Sequence, residues 1–161
     1  MSAGVTVRPA APDDLPAIMR FIRALAEYER LAQLCVATDA QIGAALFGSP
    51  PRAHALLAES EGQPAGFALW FYTFGTFSGR ASIYLEDLFV DPAFRRRGVA
   101  RRLMAELARR VLTEGCAHLA WDVLDWNEPA LHFYRRLGAE PRRGWTVQRL
   151  SGPALAALAA S

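Results

Sequence analysis

Residues Asp91–Met104, DPAFRRRGVARRLM, set Arg95, Arg96 and Arg97 directly before Gly98, and a helical pattern follows. A strand that passes through a glycine turn into a helix offers unpaired backbone N–H groups and the positive end of the helix dipole. Together these attract an anion such as a phosphate. Gly98 lets such a group approach the backbone closely, and the small Ala100 keeps the approach open. On residue type alone the stretch also reads as a solvated charge run on a surface helix, or as a patch for nucleic acid. Arg-x-x-Gly-x-Ala by itself does not decide among the three.

Composition narrows the choice. The chain has 161 residues, enough for one domain with a sizeable core. Apolar residues make up 52% and charged residues 21%, a globular balance, and the net charge of +2 is too small for bulk nucleic-acid binding. There is no lysine, so every basic side chain is an arginine, the better planar partner for phosphate. Cys35 and Cys116 have no CxxC spacing, and His54, His118 and His132 are scattered, so no metal site is expected. The N-terminus lacks an apolar signal core, and no run reaches the ~18 apolar residues of a membrane span. A soluble, cytoplasmic protein with free thiols is the expectation.

The elements that must position the arginine loop are legible in the spacing. Val5–Arg8 reads as a strand. A helix follows, with Ile18, Phe21, Ile22 and Leu25 on one face and acidic residues in its first turn. Thr38 caps a second helix, Asp39–Phe47, closed by Gly48. HALLAES, PAGFALWFYTF and RASIYLEDLFV read as three strands. A helix from about Gly98 to Glu114 follows, then the strand-like HLAWDVL and a short helix with Pro129 in its first turn and Gly138 at its end. GWTVQRL reads as a closing strand, and residues 151–161 as a tail. This order predicts an α/β layer with helices on both faces of a mixed sheet.

Two segments carry a family resemblance. YLEDLFVDPAFRRRGVARRLM (Tyr84–Met104) resembles the acyl-CoA-binding core of the GNAT N-acetyltransferase superfamily. Its Arg/Gln-x-x-Gly-x-Gly/Ala signature falls on Arg95, Gly98 and Ala100. DWNEPALHFYRRLGA (Asp125–Ala139) is similar to that family's Asn-x-x-Ala-x-x-x-Tyr-x-x-x-Gly segment. LAEYE (Leu25–Glu29), YLEDLFV and LDWNEPALHFYRRLGA most resemble the diamine (spermidine/spermine) and thialysine N-acetyltransferase branch. The resemblance implies a single-domain GNAT-like fold over residues 1–161, with a core of about 5–150 and a central, mostly antiparallel mixed sheet. It also implies acetyl-CoA as cosubstrate, a small primary amine as acceptor, and a homodimer; the composition and spacing above lead to no expectation of a metal, nucleic acid or membrane partner.

Residue by residue, the resemblance implies that backbone groups of Leu88, Phe89 and Val90 pair with the pantetheine arm. The loop Arg95, Arg96, Arg97, Gly98, Val99, Ala100 and Arg101 would hold the pyrophosphate, and Asn127 to Ala130 would flank the pantetheine. Tyr134 matches the tyrosine that protonates the departing thiolate, a task suited to a phenol of pKa near 10. Glu86 matches the position that contacts the amine, and Tyr28 and Glu29 match a pair that helps bind it. An alkyl ammonium must lose a proton before attack, so an acidic group or a water chain should lie nearby. Glu86 and Asp87 are the candidates, with Glu86 as a positioning carboxylate or a base through water. In a period-2 strand the two point to opposite faces, so at most one meets the acceptor, and Asp87 is expected to be structural.

The chain departs from the polyamine branch at EPRRGW, where those relatives carry acidic residues. Arg142 and Arg143 would repel a long polycation and could pair with a carboxylate, so a short amine or an amino acid with a side-chain amine is expected. Arg96 also stands where relatives are often small. A protein or peptide N-acetyltransferase and a non-catalytic acyl-CoA-binding module are the alternatives. Retention of both Glu86 and Tyr134 favours catalysis.

Overall fold

Alternating apolar residues, broken by turn-forming glycines and prolines, put the middle of the chain into strands. In the computed structural model, which describes residues 4–161, β1 (Thr6–Pro9) leads through a 3-10 turn at Pro12–Asp14 into α1 (Leu15–Tyr28). α2 (Asp39–Phe47), β2 (His54–Ser60), β3 (Gln63–Gly75) and β4 (Arg80–Val90) follow. Beyond a further 3-10 turn, Pro92–Phe94, come α3 (Val99–Thr113), β5 (Leu119–Trp121), α4 (Glu128–Arg136) and α5 (Gly152–Ala159). The chain forms two compact units, Met1–Leu124 and Asp125–Ser161.

The first unit is built on one sheet in the order β1-β2-β3-β4-β5. The strands are antiparallel up to β4, and β5 runs parallel to β4. Successive side chains of β3 serve opposite faces. Phe67 stacks on Phe21 of α1 at 5.8 Å, and Phe21 also meets Phe89 of β4 at 5.8 Å. On the other face Trp70 lies under the Arg110 guanidinium of α3 at 5.1 Å. Helices therefore cover both faces, as the element order predicts. Ile18, Phe21, Leu46, Leu57, Phe67, Leu69 and Phe89 form one core cluster. Each large side chain buried there stabilises the fold by about 1.5–3 kcal/mol. α3 buries Val99, Leu103, Leu107 and Val111, the stripe expected from its spacing.

Local chemistry fixes the ends of the helices. Thr38 and Gln41 form a reciprocal capping box at the start of α2: Gln41 N–H donates to Thr38 Oγ1 at 3.2 Å, and Thr38 N–H donates to Gln41 Oε1 at 2.9 Å. The expected acidic first turn of α1 is displaced. Asp13 and Asp14 occupy the preceding 3-10 turn, where Asp14 accepts two bonds from Arg8, at 2.7 and 3.0 Å. Arg8 also pairs with Glu59 of β2 at 2.8 Å, which joins β1, β2 and the entry to α1.

In the second unit, Asn127 caps α4 by accepting from Ala130 N–H at 3.3 Å, Pro129 lies in the first turn, and Gly138 beyond its end has φ +87°. The expected strand GWTVQRL does not form. A strand is defined by a ladder partner, and among the described residues none pairs with 144–150. Trp145 and Val147 are 73% and 85% exposed, so the alternation has no face to bury. The Ala/Leu tail, by contrast, forms α5.

Candidate active site

The arginine loop has the geometry of an anion cradle. Asp91 accepts from Ala93 N–H at 2.9 Å and shapes the turn after β4. Arg96 then takes φ +63° and Gly98 φ +79°, so the chain enters α3 through the left-handed region. The first bond into α3 is Arg102 N–H to Gly98 C=O, 3.0 Å, which leaves the N–H groups of Val99, Ala100 and Arg101 without partners in the helix. A Cβ added at Gly98 would meet nothing within 4 Å, so the space against the backbone is open. Gly66 of β3 brings this helix start close to the sheet, because a Cβ there would stand 2.6 Å from Phe89 O and 3.3 Å from Val99 Cγ1.

Two of the loop's arginine side chains are already engaged. Arg95 Nε donates to Val90 O at 3.3 Å, and its guanidinium lies 5.7 Å from the Tyr28 ring centroid. Arg97 pairs with Glu61 at 3.0 Å and lies over Phe94 at 5.4 Å. The loop therefore offers an anion its backbone, while these two side chains brace it from either flank.

Upstream of the loop, β4 has an open edge. β5 pairs only with Ile83, Tyr84 and Leu85, so among the described residues no strand pairs with Glu86–Val90 on that side. Phe89 buries its ring in the core while its backbone, with that of Leu88 and Val90, lies along this edge. An extended ligand can add there as a strand would. The open edge runs straight to the helix start at Gly98.

A bulge corrects the expected placing of the two carboxylates. Leu69 pairs with Asp87 and Trp70 with Leu85, so Glu86 is an extra residue on β4 and the strict alternation fails there. Asp87 lies opposite Leu69, on the face covered by α1. Its carboxyl is pushed up to about 7 by burial and by the charges of Glu86 and Glu29. Glu29, at the end of α1, is raised as well, by burial first and by Glu86 second. The structure thus gathers Glu29, Glu86 and Asp87 into one mutually repelling group that favours a cation or a retained proton. Sequence reasoning set Asp87 aside, and only the adjacency of two acids in a strand pointed to it.

The remaining site residues lie in the second unit. Tyr134 is half-buried on α4, its ring 5.4 Å from that of Phe133. Asn127 and Ala130 bond to each other at the start of the same helix. Arg142 lies over the Trp145 ring at 4.8 Å, and both Arg142 and Arg143 are exposed. Elsewhere, His54 stacks on Trp70 at 4.5 Å and His118 hydrogen-bonds Ser82 at 3.3 Å, both structural positions. Cys35 and Cys116 are free. No described group of His, Cys, Asp and Glu is arranged to hold a metal ion, and no described helix is long and apolar enough to cross a membrane.

Comparison with known proteins places this geometry in a class. The model of the acetyltransferase (GNAT) family matches residues 18–139. The chain therefore belongs to the GNAT family of acetyltransferases, and its enzymatic class is that of an N-acetyltransferase. It is 36% identical to the thialysine N-epsilon-acetyltransferase of Bos taurus over 98% of each chain. It is 28% identical to the L-ornithine N5-acetyltransferase of Arabidopsis thaliana, over 94% of this chain and 86% of that one. Among solved structures, an integron cassette protein from Vibrio cholerae superposes with a TM-score of 0.79 at 26% identity, covering 100% of this chain and 99% of that one.

Proposed function

We propose that the protein transfers the acetyl group of acetyl-CoA to a primary amine of a small molecule, with thialysine, ornithine and lysine-like amino acids as the acceptor class. The observation that carries this reading is the continuous path from the open edge of β4 at Leu88–Val90 to the N–H groups after Gly98, which have no partner in the helix among the described residues. Acetyl-CoA would lay its pantetheine along that edge, place its pyrophosphate on the loop Arg95–Arg101, and supply a reactive thioester. In this reading Asn127 and Ala130 flank the pantetheine, and residues 1–161 work as one domain, which the family match across both units supports.

The chain's own groups then have distinct tasks. Glu86, with Glu29 and Tyr28, binds and orients the acceptor ammonium, and the repulsion among Glu29, Glu86 and Asp87 gives a cation a favourable place to settle. A carboxylate of this group, directly or through water, takes the proton that the amine must lose. Tyr134 gives its phenolic proton to the departing thiolate. Arg142 and Arg143 disfavour spermine and favour an acceptor that carries a carboxylate. The working enzyme is a cytoplasmic homodimer in this reading, as the resemblance to the diamine and thialysine branch implies.

Incubation with acetyl-CoA and a panel of thialysine, lysine, ornithine, putrescine, spermidine, spermine and a short peptide tests it, with products read by mass spectrometry. Acetylated thialysine, ornithine or lysine without acetylated spermine is expected. Preference for the peptide would favour the protein-modifying alternative. No product on any acceptor, with acetyl-CoA still bound, would leave a non-catalytic module.

A further inference from the structure

Building on the reading of the loop as the acetyl-CoA cradle, we propose that Arg95 is a positioning residue that couples this cradle to the acceptor end of α1. Its side chain is held at two places. Nε donates to the Val90 carbonyl at 3.3 Å, at the end of the strand proposed to carry the pantetheine. The guanidinium lies 5.7 Å from the ring centroid of Tyr28. Tyr28 is the last residue of α1 and adjoins Glu29, whose carboxyl feels the charge of Glu86. One side chain thus reaches from the loop, past the end of β4, to the helix end that carries the acceptor-side pair.

Arg97 provides the contrast. It turns to Glu61, at the β2–β3 turn, and to Phe94 within its own turn, so it braces the loop without touching the acceptor side. Arg95 instead reaches from the loop to α1 through the Tyr28 ring. Filling the loop would fix Arg95, and a fixed Arg95 would hold the Tyr28 ring. Coupling between two binding sites is reciprocal, so an amine bound beside Tyr28 would tighten the cosubstrate by the same factor. A cation–π contact at this degree of exposure corresponds to about a twofold to fivefold change in affinity.

The test is calorimetric titration of CoA, which binds without chemistry, into wild type, Tyr28→Phe, Tyr28→Leu, Arg95→Met and the Tyr28→Leu/Arg95→Met double variant. Tyr28 is 39% exposed, so its replacement leaves the core intact. Tyr28→Leu should weaken CoA by about twofold to fivefold, the worth of the Arg95–Tyr28 cation–π contact. Tyr28→Phe, which keeps the ring, should restore the wild-type affinity, and Tyr28→Leu should add nothing in the Arg95→Met background. Wild-type affinity in Tyr28→Leu would overturn the coupling, as would a Phe variant as weak as the Leu variant. Failure of the wild type itself to bind CoA would instead remove the cradle reading beneath it.

Discussion

At Asp87 a single inserted residue alters the chemistry of its neighbour. The bulge at Glu86 puts a half-buried carboxyl opposite Leu69 and among like charges, which raises it to about 7. The sign for stability follows from proton uptake. Between the ordinary carboxylate range and pH 7 the folded state holds a proton at Asp87 that the unfolded state has lost. Stability from this group is therefore complete at acid pH and declines as the pH rises through 7. Asp87→Asn should raise the melting temperature at pH 8 by roughly 2–4 °C for each kcal/mol regained, and change it little near pH 4. Equal shifts at both pH values would show that Asp87 does not carry the charge penalty. Tyr134 is tested differently: Tyr134→Phe should lower kcat by about 10²–10⁴-fold, the usual worth of a positioned acid, with acetyl-CoA affinity retained. Unchanged turnover would assign the proton to water or to another group.

At the scale of elements, strands and helices were readable wherever local pattern and partner agreed. Thr38 announces α2 and forms its capping box with Gln41. The run RASIYLEDLFV marks β4 to the residue. GWTVQRL shows the opposite case, because an alternating pattern sets a strand's faces but does not supply its ladder. The expected seven-residue HLAWDVL is likewise reduced to the three residues that β4 pairs. The bulge could not be read, since it depends on how β3 registers against β4. Gly98 made the loop before α3 a candidate anion site among three readings, and nothing in the sequence showed the left-handed Arg96. A non-glycine residue there costs about 1–2 kcal/mol, and glycine would return part of that while adding freedom to the unfolded chain. Arg96→Gly should therefore leave the melting temperature unchanged or raise it by up to about 4 °C, with CoA binding kept, as differential scanning fluorimetry and titration would show. A marked loss of either would mean that the Arg96 side chain does what is here given to the backbone.

Across the whole molecule, the sheet holds the chemistry in place. α1 and α3 pack on its two faces through Phe21 and Val99, and β4 passes between them. Its proposed acceptor-side carboxylates and its open edge therefore lie on one rigid strand that ends at the anion loop. The roles of Glu86, Tyr134, Tyr28 and Glu29 were legible only through resemblance, since a tyrosine on a short helix or at a helix end is ordinarily packing or surface. The arginine loop was one of three readings on glycine and the helix start alone, and the resemblance carried by Asp125–Ala139 was needed to choose the anion site.

The central claim, that acetyl-CoA is held against the backbone at Gly98, is tested most directly by steady-state acetyl transfer to thialysine in wild type and Gly98→Ala. The added Cβ would enter the open space at a backbone angle of φ +79°. The account predicts a KM for acetyl-CoA raised by about tenfold, equivalent to roughly 1.4 kcal/mol, with the KM for thialysine unchanged. A Gly98→Ala enzyme with wild-type KM for acetyl-CoA would place the cosubstrate elsewhere and contradict the account.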